Sequence, residues 1–290
     1  MIETLLDVGG RSVAVRDSGG PGPAVLLLHG AGGNLAHWDL VAPLLPDRFR
    51  LVSVDLPAHG ASDVPEQYSL AGDLASADAV RRSLGLRDTA VVGHSYGGML
   101  AVALGAAGPD DYRLAVNLDG VGFGHPGTPE ELRSFWRGQV LEQWVDSGDR
   151  AWRDEAVATE LRELADAGAT GRLPTQVVTR AFSRGADGRW NQAPPATHQE
   201  TLLRAVRELG LLERYAASRC PTVTVLASRR PARTPALATA MARHVEGIRA
   251  ALAALPAQSP AGRVLDVESG HLVPLEVPEA AARLLAEALD

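Results

Sequence analysis

A single cysteine, Cys220, stands in 290 residues, so no intramolecular disulfide can form and the chain suits a reducing compartment. Placed directly before Pro221, its thiol reads as a small buried side chain at a strand entrance. No run of about 18 apolar residues occurs, which excludes a membrane-spanning helix. The opening Met1-Ile2-Glu3-Thr4-Leu5 lacks the basic-then-apolar order of a secretory signal, so a cytoplasmic location is expected. Positive charge is in the minority, 28 Lys and Arg against 35 Asp and Glu, for a net charge of −7. That balance argues against nucleic acid as a partner, which calls for a basic face, and gives no support for an anionic membrane surface. His-Glu-x-x-His metal spacing and the dinucleotide glycine fingerprint are both missing, so neither metal nor cofactor is expected. Aromatic residues are scarce, at 4%.

What is present is a hydrophobic fraction of 46%, ample for a core, in a length that suits one large domain or a domain with an insert. Residues 4–8 and 12–17 read as strands joined by a Gly9-Gly10 turn. Continuous apolar runs at 24–28, 51–54, 90–92 and 114–118 suit strands buried on both faces. Helical patterns lie between them at 35–45, 69–84 and 99–107. Strand–helix alternation of this kind argues for a mostly parallel sheet covered on both faces. After Asp119 the rhythm breaks. Residues 121–217 carry helical segments, at 129–145, 150–167 and 199–214, with a loop at 185–195 and no good strand run. Strands return at 222–227 and 263–267, with helices at 237–255 and 278–289. The expected organisation is a sheet domain in two parts, 1–120 and 218–290, with a helical insert at 121–217.

One stretch bears directly on chemistry. Ala90-Val91-Val92 runs into Gly93-His94-Ser95-Tyr96-Gly97, and a helical segment follows. This is the strand–turn–helix context of a nucleophile elbow. Gly93 and Gly97 let neighbouring backbone pass close to the turn. Ser95 would then project above the sheet, with the Tyr96 N–H aimed at the same spot. A serine hydroxyl is a weak nucleophile near neutral pH and needs an adjacent base held by a third group. His271, in a glycine-containing loop between the last strand and the final helix, is the candidate base. His29-Gly30-Ala31-Gly32-Gly33 follows a buried strand and is small enough to bring backbone N–H groups to a developing oxyanion. Ala31 is the expected donor there, with Gly32 as the near alternative, and Tyr96 supplies the second.

These residues resemble the α/β-hydrolase fold superfamily over essentially the whole chain. The resemblance rests on His29 to Gly33, on Asp55-Leu56-Pro57-Ala58-His59-Gly60-Ala61-Ser62, on Gly93 to Gly98, and on Gly270-His271 followed by Pro274-Leu275-Glu276-Val277-Pro278-Glu279. It implies a serine hydrolase with a mostly parallel sheet flanked by helices and an inserted helical cap. Asp55 and His59 would support loop structure. The sequence departs from the common pattern after strand 222–227, where Ser228-Arg229-Arg230-Pro231-Ala232-Arg233 has no carboxylate. A known variant of the family carries the triad acid one strand earlier, which points to Asp119. Asp266 and Glu268 are less well placed, and the role of the three arginines is open.

The cap would shape the substrate site, with Phe123, Phe135, Trp136, Trp144 and Trp152 as lining candidates and Trp38 from the core side. An apolar or aromatic small-molecule substrate is favoured. The resemblance implies cleavage of an ester, lactone or related carbonyl. Carbon–carbon hydrolase, amidase, thioesterase, perhydrolase, cyclase or acyltransferase chemistry and non-catalytic ligand binding stay open, as does a homodimer. A dehalogenase or epoxide hydrolase is disfavoured, because those members carry Asp where Ser95 stands.

Overall fold

The computed structural model describes residues 1–121, 151–152, 175–184, 190–229, 235–256 and 259–290. Its centre is an eight-stranded sheet. The first strands are β1 (Ile2–Asp7), β2 (Ser12–Asp17), β3 (Ala24–Leu28), β4 (Arg50–Val54), β5 (Thr89–His94) and β6 (Tyr112–Leu118). In the insert, β7 (Ala151–Trp152), β8 (Phe182–Arg184) and β9 (Trp190–Gln192) form a separate small sheet. β10 (Thr222–Ala227) and β11 (Arg263–Val267) complete the main sheet, whose order is β1-β2-β4-β3-β5-β6-β10-β11. In the main sheet β1 and β2 pair antiparallel, as do β2 and β4, and its other pairings are parallel.

Side-chain alternation builds two cores from the same strands. In β3, Ala24, Leu26 and Leu28 join one cluster, with α1 (Leu70–Ser83) and α2 (Tyr96–Ala107). Val25 and Leu27 face the other way. The helical pattern at 35–45 resolves into two 3-10 turns, Leu35–Trp38 and Ala42–Leu44, because Pro43 cannot continue a helix begun at Leu35. The β1–β2 turn places Gly9 and Gly10 at φ 62° and 81°, a left-handed pair that side chains resist.

The chain order of the sheet reverses between β3 and β5, which are hydrogen-bonded neighbours with Leu28 opposite Gly93. Loops after these strands diverge at that point and leave a crevice at the carboxyl edge, where ligands of open α/β sheets bind. Both glycine-rich motifs flank it. β6 lies beside β5, so Asp119 emerges next to Ser95.

The described parts of the insert are α3 (Thr175–Thr179), α4 (Ala196–Glu208) and α5 (Leu211–Ala217) besides the small sheet. The strands correct two expectations. Ala151–Trp152 falls where a helix at 150–167 was expected, and Trp190–Gln192 falls within the expected loop 185–195. Pairing across β7-β9-β8, which local periodicity cannot reveal, makes them strands. Beyond β10 come α6 (Pro235–Ala253), α7 (Val273–Glu276) and α8 (Pro278–Leu289). Among the described residues no helix is long and apolar enough to cross a membrane.

Candidate active site

β5 ends at His94 and α2 begins at Tyr96, so Ser95 alone makes the turn, at φ 52° and ψ −117°. A non-glycine residue in that conformation stores strain, held by its surroundings. Ser95 N–H donates to Leu118 C=O (2.8 Å) and Ser95 C=O accepts from Met99 N–H (3.1 Å). A side chain at Gly93 would lie 2.0 Å from the Gly97 carbonyl oxygen, and one at Gly97 2.4 Å from that of Leu28. The elbow is therefore built from backbone in contact with backbone.

His271 Nε2 lies 2.9 Å from Ser95 Oγ, and its Nδ1 lies 2.7 Å from Asp119 Oδ2. With the carboxylate as acceptor, Nδ1 carries the proton and the Nε2 lone pair faces the hydroxyl. Asp119 is fully buried in a left-handed conformation, φ 56°. Its Oδ1 accepts from Ala227 N–H (2.9 Å) and its own N–H donates to Val225 C=O (2.8 Å), so β10 holds both the carboxylate and the backbone of Asp119. Asp266 is exposed and bonded to Arg249 (2.5 Å), and Glu268 is exposed on the strand's far end. Neither bonds His271.

The candidate N–H groups of the Gly30–Gly33 loop differ in their partners. Gly32 N–H donates to His59 Nε2 (3.1 Å) and Gly33 N–H to Gly30 C=O (2.9 Å). The N–H groups of Ala31 and Tyr96 donate to no group among the described residues. Tyr96 N–H also opens α2, where the helix dipole favours negative charge.

Four buried histidines surround these elements, and each is held neutral. Burial pushes His37 and His59 down to about 4 and His29 well below its ordinary value. Burial first, then the neighbouring His271 ring, takes His94 down to about 3. His29 accepts from Leu56 N–H at Nε2 (2.9 Å), so its Nδ1–H donates to Gly30 C=O (2.7 Å). His59, accepting from Gly32, donates its Nδ1–H to Pro57 C=O (2.9 Å). Asp55 is equally structural. It accepts from Leu35 N–H (2.7 Å) and Ala61 N–H (2.8 Å), and pairs with Arg180 of the insert.

One aromatic expectation changes. Trp38 is 1% exposed and packs in the core with Val41 and Leu27, so it does not line a pocket. The 3-10 turn sends its ring down onto the sheet, an orientation no spacing reveals. The Tyr96 ring is also buried, and its hydroxyl donates to Asp73 (2.6 Å), away from Ser95. Phe123, Phe135, Trp136 and Trp144 lie outside the described residues, as do Arg230 and Arg233. Trp152 falls in β7. Arg229 is exposed, 3.9 Å from Glu276.

Sequence reasoning passed over His94, whose Nε2–H donates to the His271 carbonyl (2.7 Å), and Glu276, which bonds the same loop. His94 could have been flagged as a histidine beside Ser95. Glu276 was seen only as part of a motif.

A model described as the alpha/beta hydrolase family matches residues 25–284. The 2-(acetamidomethylene)succinate hydrolase of Mesorhizobium japonicum is 36% identical over 119 residues, covering 41% of this chain and 42% of that protein. Fluoroacetate dehalogenase of a Burkholderia species is 35% identical over 121 residues, 40% of each. The matched stretches thus span only about two fifths of these relatives' length, and 31% of other curated relatives. A solved structure of E-2-(acetamidomethylene)succinate hydrolase superposes with a TM-score of 0.77 at 23% identity, over 100% of this chain and 99% of that one, a likeness of fold. With the family match running from β3 into α8, and the reversal of strand order bringing the turn at Ser95 and the glycine-rich loop after β3 together, this chain belongs to the alpha/beta hydrolase family.

Proposed function

We propose that the protein is a cofactor-free serine hydrolase of an ester, lactone or related carbonyl compound, with 121–217 as its cap. Ser95 Oγ attacks the carbonyl carbon while His271 Nε2 takes its proton. Asp119 accepts the Nδ1–H bond and stabilises the imidazolium. The N–H groups of Ala31 and Tyr96 receive the oxyanion. Collapse expels the leaving group, protonated by His271, and leaves an acyl-enzyme. Water, deprotonated by the same imidazole, then releases the acid and restores Ser95. The single observation carrying this reading is the unbroken relay Asp119–His271–Ser95 at 2.7 and 2.9 Å. A serine at position 95 supports hydrolysis through an acyl-enzyme over the chemistry that the dehalogenase relative is named for.

The test is labelling with a fluorophosphonate probe, located by peptide mass spectrometry, on wild type and on Ser95→Ala, His271→Ala and Asp119→Asn. Modification of Ser95 that disappears in His271→Ala supports the reading. A folded wild-type protein that stays unmodified refutes it and favours a ligand-binding role. Unlabelled wild-type enzyme then goes to a panel of esters and lactones. 2-(Acetamidomethylene)succinate, which the relative's name specifies, joins that panel. Turnover only with carbon–carbon substrates, or only with a hydroxyl acceptor present, would replace ester hydrolysis by a rival on the same serine.

A further inference from the structure

His271 is the most weakly enclosed member of the relay, with 47% of its side chain exposed. An imidazole on an open loop loses its aim unless the backbone beneath it is fixed, because a displacement of about 1 Å in a reacting group can cost on the order of a hundredfold in rate. Four hydrogen bonds fix this backbone. Gly270 N–H donates to Glu276 Oε2 (2.8 Å) and Leu272 N–H donates to Glu276 Oε1 (3.1 Å). One carboxylate thus grips the residues on both sides of His271. From the opposite side the His271 carbonyl accepts from His94 Nε2 (2.7 Å) and, across an inverse turn at Leu272, from Val273 N–H (2.9 Å).

The local sequence is shaped to admit that carboxylate. A Cβ at position 270 would lie 2.5 Å from Glu276 Oε1, so any side chain there would push the carboxylate out of this position. Glu276 itself is held on α7, whose start at Val273-Pro274 turns the chain back on the loop. Ser269 Oγ, at 3.5 Å, and the Arg229 guanidinium, at 3.9 Å, add only weak contacts to Oε2. Bonds from charged acceptors to N–H groups are roughly twice as strong as neutral ones, so the two grips from Glu276 carry most of the restraint.

We propose that Glu276 is a positioning residue for the base: it sets the His271 backbone so that Nδ1 meets Asp119 and Nε2 meets Ser95, without touching substrate. The roles of Ser95 and His271 in this statement rest on the proposed function. The measurement combines three readouts on wild type, Glu276→Gln and Glu276→Ala. They are the rate of fluorophosphonate labelling at Ser95, the melting temperature, and the downfield proton resonance of the His271 Nδ1–H, assigned by its loss in His271→Ala. Gln keeps one acceptor oxygen but turns an amide NH2 towards the second N–H, so labelling falls on the order of tenfold, and on the order of a hundredfold in Ala. The resonance broadens or moves in the same order, and the Gln variant stays folded. Exposed Asp266→Asn serves as a charge control and leaves both unchanged.

Labelling within twofold of wild type in Glu276→Gln, with an unchanged resonance, overturns the proposal. So does a fall in melting temperature with rate and resonance intact, which marks a purely structural carboxylate. If wild type does not label yet its resonance responds to Glu276, the hydrolase reading fails while the clamp stands.

Discussion

Ser95 and His271 stand 2.9 Å apart and are held by opposite means. The serine is fixed by backbone. Its strained turn is wedged between strand and helix, with glycines at 93 and 97 where no side chain fits. The histidine sits on an exposed loop and is fixed by side chains reaching in from elsewhere: Glu276, His94 and Asp119. A backbone-built site tolerates no added atom. A side-chain-built one degrades in steps as its tethers are removed. The two halves should therefore answer differently to mutation.

The largest effect is expected on the serine side. In Gly93→Ala the new methyl falls 2.0 Å from the Gly97 oxygen, in backbone that cannot move without displacing Ser95. Labelling should be abolished, and stability should fall by more than about 3 kcal/mol, read from yield and thermal melts. A variant that folds and labels normally would show that the elbow has slack.

On the histidine side, Asp119→Asn should leave the fold almost intact and slow labelling by about 10³–10⁴-fold. If the amide oxygen keeps the Ala227 N–H, the amide NH2 faces His271 Nδ1. The imidazole is then forced into the tautomer that points a proton at Ser95. A loss smaller than tenfold would remove Asp119 from the relay.

The contrast also explains what could be read from the sequence. Backbone-built features leave local signatures: apolar runs, strand patterns and the Gly9-Gly10 turn marked the strands of the main sheet, and Gly93, Gly97 and Gly270 marked other turns. His271 was a candidate partner of Ser95 from the loop it occupies, whereas Asp119 came only from the resemblance to a family variant. Tethers across the fold leave none. His94 and His271 are 177 residues apart, and nothing beside either announces the bond. The insert strands were missed for the same reason: Trp190–Gln192 is a strand only because it pairs with Phe182–Arg184 and Ala151–Trp152. Trp38, aimed at the core by a 3-10 turn, shows that a motif's neighbour is not thereby in the pocket.

Buried histidines sharpen the comparison through pH. His29, His37, His59 and His94 are neutral in the fold but bind protons below about 6.5 once unfolded. The unfolded chain therefore binds more protons as pH falls from about 6.5 towards 4, and stability is lost in that window. Asp73 acts in the other direction. Burial lifts it to about 7, so the fold holds a proton that the unfolded chain releases, and its contribution is lost as pH rises. The net expectation near pH 5 is a slope of about 4 kcal/mol per pH unit, measured by urea unfolding between pH 7.5 and 5. A flat profile would mean that these imidazoles titrate freely, against the neutral His59 that accepts from Gly32 N–H.

The smallest expected effect separates the Tyr96 backbone from its side chain. Tyr96→Phe deletes one of two phenols that donate to Asp73 Oδ2, Tyr68 at 2.5 Å being the other. Below pH 7 Asp73 is neutral, and the loss should be about 1 kcal/mol. Above pH 7 the carboxylate is charged, and losing a donor should cost about 2–3 kcal/mol. Stability of the variant relative to wild type should therefore fall as pH rises from 6 to 8. Labelling, which on the proposed reading needs only the Tyr96 N–H, should stay within threefold at both values. A large loss of labelling without a loss of stability would mean that the phenol itself takes part, and the serine side would then be built from side chains as well.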